Sequence, residues 1–86
     1  MNEVDVFKAL SDPTRLKILE LIKDQKRCIC EIIPHTGKSQ PTISQHLRIL
    51  RNARLIKDHK KGTNIWISAA NNQIYSIINN TRRMNK

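Results

Sequence analysis

The polar side chains of residues 39–50 have the types and spacing that could read DNA. Three apolar residues fall on one face of a helical wheel: Ile43, Leu47 and Leu50. Gln45 and Arg48 point the opposite way, and residues 39–56 include no acid. Amide, hydroxyl and guanidinium groups pair with base edges in the major groove, whereas phosphates repel carboxylates. The pattern predicts a helix that enters a major groove, although an ordinary amphipathic surface helix has the same periodicity.

The other reactive residues form no catalytic pattern. Thr36-Gly37-Lys38-Ser39 ends like a phosphate-binding loop, but Ile32 stands where such a loop requires its first glycine. The three histidines have neither metalloprotease nor triad spacing, and no nucleophile elbow occurs. We therefore do not expect an enzyme.

The charge of the chain favours an acidic partner. Its 86 residues include 16 Lys and Arg against 7 Asp and Glu, which gives a formal net charge of +9. Residues 38–61 contain seven basic side chains and a single acid, Asp58. A basic face concentrated in this way is typical of nucleic-acid binders. A membrane surface is a weaker candidate partner, because no helix combines a Lys-rich face with an aromatic one.

Length and composition predict one domain, over residues 1–86. No apolar run has the length of a membrane span, and the first residues do not resemble a signal peptide. The two cysteines are two positions apart and cannot form the framework of a secreted mini-protein. We expect a soluble, cytoplasmic protein that does not bind membranes.

The elements that must position these side chains follow from periodicity and boundary residues. Five helices are predicted, over about residues 4–10, 13–22, 28–35, 39–52 and 71–81, followed by a basic tail over residues 82–86. Asp12 and Ser39 are the expected N-caps. Pro34 should shorten or bend the third helix, because proline lacks the backbone donor and clashes with the preceding turn. Two β-rich runs around Gly62 predict a hairpin with a basic tip. The predicted fold is mainly α, a winged helix-turn-helix with a two-stranded wing.

Three stretches of the sequence, in this order, resemble the ArsR-type (ArsR/SmtB) repressors. Residues 7–19 are similar to the opening signature of that family, and Cys28-Ile29-Cys30-Glu31 is similar to its Cys-x-Cys-Asp/Glu segment. Residues 39–47 with Leu50-Arg51 resemble its recognition helix. The resemblance covers nearly the whole chain and implies a homodimeric transcriptional repressor that binds an inverted-repeat DNA operator. Arg54 stands where the family usually has glycine, so a left-handed turn there would cost roughly 1 kcal/mol or be reshaped.

A DNA-binding mechanism assigns roles to individual side chains. Gln45 is the expected base reader, because an amide can pair with adenine through two hydrogen bonds, and Arg48 could reach guanine or phosphate. Ser39 is expected to cap the helix, and His46 to pack at the edge of the core. The predicted DNA contacts are Gln40, Thr42, Ser44, Gln45, Arg48 and Arg51 on the helix, and Lys60, Lys61, Thr63 and Asn64 at the hairpin tip.

The resemblance also implies that the dimer forms through the first and last helices. The apolar stripes of these helices are compatible with such an interface: Val4, Phe7 and Leu10, and Ile74, Ile77 and Ile78. A core within one chain explains the same residues equally well.

Cys28 and Cys30 could form a sensing site, as the resemblance implies for thiophilic metals, arsenic(III) or antimony(III). Soft ions prefer thiolates. However, the third cysteine of the family's arsenic-type site falls at Ile33, and only His35 is expected to lie near the pair. Thiol redox sensing, favoured by the basic residues beside Cys28, and two structural cysteines remain open alternatives.

The main rival function is a winged helix that binds protein or RNA. RNA readers usually present aromatic stacking platforms, whereas Phe7, Trp66 and Tyr75 are on separate predicted elements. A protein-interaction module would not need an acid-free helix face. The sequence favours DNA.

Overall fold

The computed structural model describes residues 2–85, which form five helices and a three-stranded antiparallel sheet. The helices are α1 (Glu3–Leu10), α2 (Pro13–Leu21), α3 (Ile29–Thr36), α4 (Gln40–Asn52) and α5 (Gln73–Met84). The strands are β1 (Arg27–Cys28), β2 (Ile56–Lys61) and β3 (Asn64–Ala69). The predicted winged helix-turn-helix is confirmed: α3, a short turn and α4 form the helix-turn-helix, and β2 and β3 form the wing. Within residues 2–85, the helices are too short or too polar to span a bilayer.

Helix boundaries follow the predicted caps. Asp12 Oδ2 accepts hydrogen bonds from the backbone N–H groups of Thr14 and Arg15, at 2.8 and 3.1 Å. Ser39 Oγ accepts one from Thr42, at 3.4 Å. These bonds satisfy donors that the first helical turn leaves without partners, so both predicted N-caps are confirmed.

The last helix is longer at its C-terminus than predicted. It begins at Gln73 and continues to Met84, so Arg82 and Arg83 belong to its last turn and not to a tail. Basic side chains are favourable there because the C-terminal end of a helix carries partial negative charge. Lys86, the last residue of the predicted tail, lies outside the described residues.

The sheet contains a strand that the sequence did not predict. Arg27 and Cys28 pair with Ile67 and Trp66 of β3, which gives the strand order β1-β3-β2. A strand of two residues is too short to show the alternation by which strands are recognised. This pairing attaches the start of α3 to the wing.

The core lies where α2, α3 and α4 pack together and against β3. Its fully buried side chains are Ile18, Leu19, Ile22, Ile32, Ile43, Leu47, Leu50 and Ile67. Tyr75 of α5 closes one side, and its hydroxyl donates to the Leu19 carbonyl at 2.6 Å. Burial, with smaller effects from the carboxylates of Glu20 and Asp24, raises the pKa of Tyr75 to about 12. The phenol therefore stays protonated at neutral pH and links α5 to α2.

Pro34 lies inside α3, which has only eight residues. Proline has no N–H to donate to the Cys30 carbonyl four positions earlier. The helix ends one turn later, with Gly37 in the left-handed conformation at φ 68°. The expectation of a short third helix is confirmed.

The sequence left two alternatives at Arg54, a left-handed turn or a reshaped one, and the structure has the left-handed turn. Arg54 has φ 59°, and it is a non-glycine residue with positive φ. Its N–H donates to the Arg51 carbonyl at 2.9 Å, and the N–H of Leu55 donates to the Leu50 carbonyl at 3.0 Å. These two bonds form a Schellman motif, in which glycine is the usual left-handed residue. The turn between α4 and the wing is therefore the left-handed one, although the residue in it is arginine.

Candidate nucleic-acid interface

The recognition helix α4 separates its apolar and polar side chains as predicted. Ile43, Leu47 and Leu50 are buried. The six polar residues predicted to contact DNA are all exposed: Gln40, Thr42, Ser44, Gln45, Arg48 and Arg51. The helix therefore presents a surface without acids to the outside of the molecule.

The start of α4 is fixed by its cap. The Ser39 hydroxyl donates to Thr42 Oγ1 at 2.9 Å, so the N-cap residue of α4 holds the Thr42 side chain in place. No acidic side chain occupies the first turn of α4. Free backbone donors and the positive end of the helix dipole are favourable next to a phosphate.

The wing places its basic tip at the end of a regular hairpin. Lys61 pairs with Asn64 across a two-residue turn in which Gly62 has φ 63°. A positive φ at this position matches the twist of the two strands. The four predicted contacts at the tip are exposed: Lys60, Lys61, Thr63 and Asn64. His59 Nε2 and Ser68 Oγ are 2.7 Å apart and form a polar contact across the hairpin.

Arg51 differs from the other predicted contacts because its guanidinium already has a partner. Its Nη2 lies 2.9 Å from Oδ2 of Asp58, which is on β2. Arg48 has no such protein partner among the ion pairs and hydrogen bonds of the described residues. Among the predicted contacts, Arg51 is thus a residue whose charge is paired within the protein.

His46 packs at the base of the recognition helix and does not face the exposed surface. Its side chain is 15% exposed, and its Nδ1 lies 3.1 Å from Arg15 Nη1. Arg15 Nε and Nη2 donate to the carbonyls of Ala9 and Lys8 at the end of α1. The sequence did not indicate this link between α1 and α4, since Arg15 and His46 are 31 positions apart.

Asp12 completes the same cluster, with Oδ2 3.9 Å from His46 Nδ1. Desolvation raises the pKa of Asp12, but the backbone hydrogen bonds from Arg15 and Thr14 and the charges of His46 and Arg15 lower it more. The pKa is therefore below its ordinary value of 3.8. The carboxylate is ionised at neutral pH and holds the start of α2 beside the recognition helix.

The two cysteines are joined by a disulfide bond at the junction of β1 and α3. Cys28 is 3% exposed, whereas Cys30 is exposed. Cys28 Sγ accepts the N–H of Cys30 at 3.2 Å, and Glu31 Oε1 accepts the N–H of Cys28 at 3.1 Å. Arg27 Nε donates to the Leu21 carbonyl at 3.0 Å, and its Nη1 lies 3.5 Å from Glu31. The guanidinium is thus occupied by partners other than the sulfur atoms.

The surroundings of this pair do not complete a metal site. In the part of the chain that the structure describes, no three His, Cys, Asp or Glu side chains are grouped so that they could hold an ion. His35, the expected third ligand, therefore does not join Cys28 and Cys30. The residues do not fit a three-ligand arsenic(III) site or a four-ligand zinc site within one chain.

A shallow groove of about 180 Å³ is lined by the cysteines and by three of the predicted DNA contacts. It is lined by Cys28, Cys30, Gln40, Thr63, Asn64 and Ile65. The pair therefore lies between the start of the recognition helix and the tip of the wing. Sequence spacing alone did not indicate this position of the cysteines, because it depends on the pairing of β1 with β3.

The predicted dimer residues divide into exposed and buried groups. Val4, Phe7 and Ile77 are 53%, 56% and 38% exposed, and Leu10 is partly buried. Ile74 and Ile78 belong to the core of the single chain. A core within one chain therefore explains Ile74 and Ile78 but not the exposed residues. A groove of about 390 Å³ between α1 and α5 includes Phe7, Leu10 and Ile77 in its lining.

Known proteins that resemble the chain are transcription regulators. The family model described as bacterial regulatory protein, arsR family, matches residues 12–58. The transcriptional repressor SdpR of Bacillus subtilis is 45% identical over 75 residues, which are 87% of this chain and 83% of the relative. An arsenical resistance operon repressor of Staphylococcus aureus is 34% identical over 80 residues, which are 93% and 77% of the two chains.

A solved structure supports the same conclusion at the level of the fold. The homodimeric winged helix-turn-helix DNA-binding domain from Mycobacterium bovis superposes with a TM-score of 0.84 at 25% identity, over 93% of this chain and 77% of that one. Family, fold and the exposed face of α4 agree. The chain belongs to the ArsR family and is a DNA-binding transcriptional repressor with a winged helix-turn-helix fold.

Proposed function

We propose that the protein represses transcription as a homodimer that places one α4 of each subunit in a major groove of an inverted-repeat operator. The observation that carries the proposal is the exposed, acid-free face of α4. Two-fold symmetry then requires half-sites about 34 Å apart along the DNA, or a multiple of that distance. Residues 1–86 act as one DNA-binding domain, and the protein works in the cytoplasm, where its operator is.

The proposed contacts divide into base readers and phosphate binders. Gln45 reads an adenine, and Arg48 pairs with guanine or a phosphate. Gln40, Thr42 and Ser44 bond to bases or the backbone near the start of α4. Lys60, Lys61, Thr63 and Asn64 meet the backbone or the adjacent minor groove.

The dimer is supported by the exposed apolar side chains on α1 and α5. Phe7 and Ile77 line one groove, and large apolar groups that face water are typical of interaction sites. The homodimeric relative of known structure has the same fold. Ile74 and Ile78 belong to the core beneath this surface, and Ile78 also lines the groove.

Operator binding by point variants tests the DNA contacts. If each subunit neutralises about four phosphates, the log–log slope of affinity against salt is about −7 for the dimer. Gln45→Ala should relax the preference at one base pair by about 1–3 kcal/mol. Lys61→Ala should lower the affinity for all DNA sequences similarly and make the salt slope less negative by about 1 per subunit.

Fluorescence anisotropy on the promoter of the protein's own gene measures these effects. Arg83→Ala is the matched control for Lys61→Ala, because Arg83 is an exposed basic residue on α5. A salt slope near zero, or equal losses for these two variants, would contradict the proposed interface.

The proposed signal is oxidation of the two cysteines. Reduced Cys28 and Cys30 lose two protons and two electrons to a peroxide or to a small disulfide, and one sulfur–sulfur bond forms. The observation that favours this reaction is that the two sulfurs are bonded while one residue is exposed to reagents. Because the cysteines line the same groove as Gln40, Thr63 and Asn64, the bond can affect residues that are proposed to contact DNA.

A further inference from the structure

An ion pair joins the recognition helix to the wing. Arg51 lies in the last turn of α4, and its Nη2 is 2.9 Å from Oδ2 and 3.2 Å from Oδ1 of Asp58. Asp58 lies on β2, opposite Ile67 of β3. The contact therefore bridges the two elements that reach DNA in the proposed complex.

Asp58 is the single acid in a strongly basic segment. Residues 38–61 contain seven basic side chains, and six of them remain if Arg51 is set aside as its partner. A carboxylate near phosphates weakens the attraction between protein and DNA. Direct binding to DNA therefore does not account for Asp58, whereas a contact within the protein does.

The pair spans the turn between α4 and the wing. Between the end of α4 and the start of β2, Arg54 adopts the left-handed conformation. Because the Arg51 and Asp58 side chains are 42% and 36% exposed, their pair adds little to folding stability. The contact nevertheless joins α4 directly to the first strand of the wing, across the turn that connects them.

We infer that Arg51 is a positioning residue that acts through Asp58 to hold the wing at the angle needed for binding. At this angle, Lys61 contacts the phosphate backbone of the DNA while Gln45 contacts a base. The inference rests on the proposed function, because it concerns the proposed contacts of α4 and the wing. If the wing is held in place, the contacts of α4 and of the wing with DNA can form at the same time. A loose hairpin must first be ordered, which lowers the affinity for DNA.

Asp58→Asn distinguishes positioning from simple electrostatics, because the two effects have opposite signs. Removal of an acid that faces phosphates would tighten binding. Release of the wing weakens it, and we expect about tenfold lower affinity for the operator at physiological salt. Asp24→Asn, which removes an exposed carboxylate from the loop between α2 and β1, should leave the affinity within about twofold.

A double-mutant cycle and a charge exchange provide readouts that a general loss of stability would not change. Lys61→Ala should cost less affinity in the Asp58→Asn background than in the wild type, because a released wing no longer presents Lys61 in register. Arg51→Asp combined with Asp58→Arg restores the pair at the same net charge. This exchange should recover most of the lost affinity, and the urea midpoint should be unchanged in every variant.

Two results would overturn the inference. Tighter binding by Asp58→Asn, or an equal cost of Lys61→Ala in both backgrounds, would make Arg51 an ordinary phosphate contact. If Gln45→Ala and Lys61→Ala alone leave the affinity unchanged, the proposed DNA contacts fail, and this inference fails with them. If those two variants weaken binding and the cycle shows no coupling, only the positioning role of Arg51 is lost.

Discussion

Single residues show which features of this chain are local. Ser39 and Asp12 cap their helices through contacts within three positions, so sequence could predict them. The contact between Arg15 and His46 joins positions 31 apart. It depends on the packing of α1, α2 and α4, which no local pattern specifies. For the same reason, the sequence did not indicate the ion pair between Arg51 of α4 and Asp58 of β2.

Arg54 provides a prediction at this scale. Its φ of 59° disfavours any residue with a Cβ atom, so Arg54→Gly should raise the free energy of unfolding by about 1 kcal/mol. The gain is smaller than the full cost of a left-handed residue, because glycine also has more freedom in the unfolded chain. Urea unfolding at a fixed protein concentration measures the difference.

The control for this prediction is Arg54→Ala, which removes the charge but keeps the Cβ atom. We expect its stability to match the wild type or fall slightly below it. If the glycine and alanine variants are equally stable, the effect comes from the charge of Arg54 and not from its backbone conformation.

At the scale of elements, the helices were predictable and the first strand was not. Each helix has an apolar stripe, and N-cap residues mark the starts of α2 and α4. Strand β1 has two residues and exists only because Arg27 and Cys28 reach β3. The predicted DNA-facing residues could be assigned from the wheel of α4, whereas the route from the cysteines to the wing required the fold.

The contact between the cysteines and the wing leads to a prediction about the junction of β1 and α3. We expect the oxidised protein to bind the operator about tenfold more weakly than the reduced protein, because the bond constrains the backbone of Cys28, which pairs with the wing strand β3. Anisotropy in dithiothreitol and after peroxide treatment measures the two states. Cys30→Ser should retain the reduced affinity under both conditions.

Two results would exclude this signal. One is equal operator affinity for the oxidised and reduced protein, with their thiol content verified by titration. The other is loss of binding on addition of arsenite to the reduced protein while peroxide has no effect. That result would assign the pair to metalloid sensing, with further ligands from outside the single chain.

At the scale of the whole molecule, charge and apolar surface are located on different elements. The basic side chains of residues 38–61 surround α4 and the wing, whereas the exposed Phe7 and Ile77 line a groove between α1 and α5. A net charge of +9 attracts DNA but does not determine where along the DNA the protein binds. A two-fold dimer supplies the register, because it fixes the distance between two recognition helices. The apolar stripes could be predicted from sequence, but only the fold separated the buried Ile74 and Ile78 from the exposed residues.

The proposed dimer is therefore the feature that should control specific binding. Ile77→Asp places a charge in the proposed interface and should convert the dimer to monomers of 10.0 kDa. Each monomer would bind a half-site alone, so affinity for the full operator should fall by at least about 100-fold through loss of avidity. Analytical ultracentrifugation measures the mass, and a footprint on the operator shows whether both half-sites are still protected.

Ile65→Asp is a matched control for this change, because Ile65 and Ile77 are both 38% exposed. Ile65 lies on the wing, so its replacement should leave the dimer intact and affect only DNA binding. A wild-type protein that sediments as a monomer at micromolar concentration would contradict the dimer. So would an Ile77→Asp variant that still protects both half-sites, because α1 and α5 would then not be the surface that sets the spacing of the recognition helices.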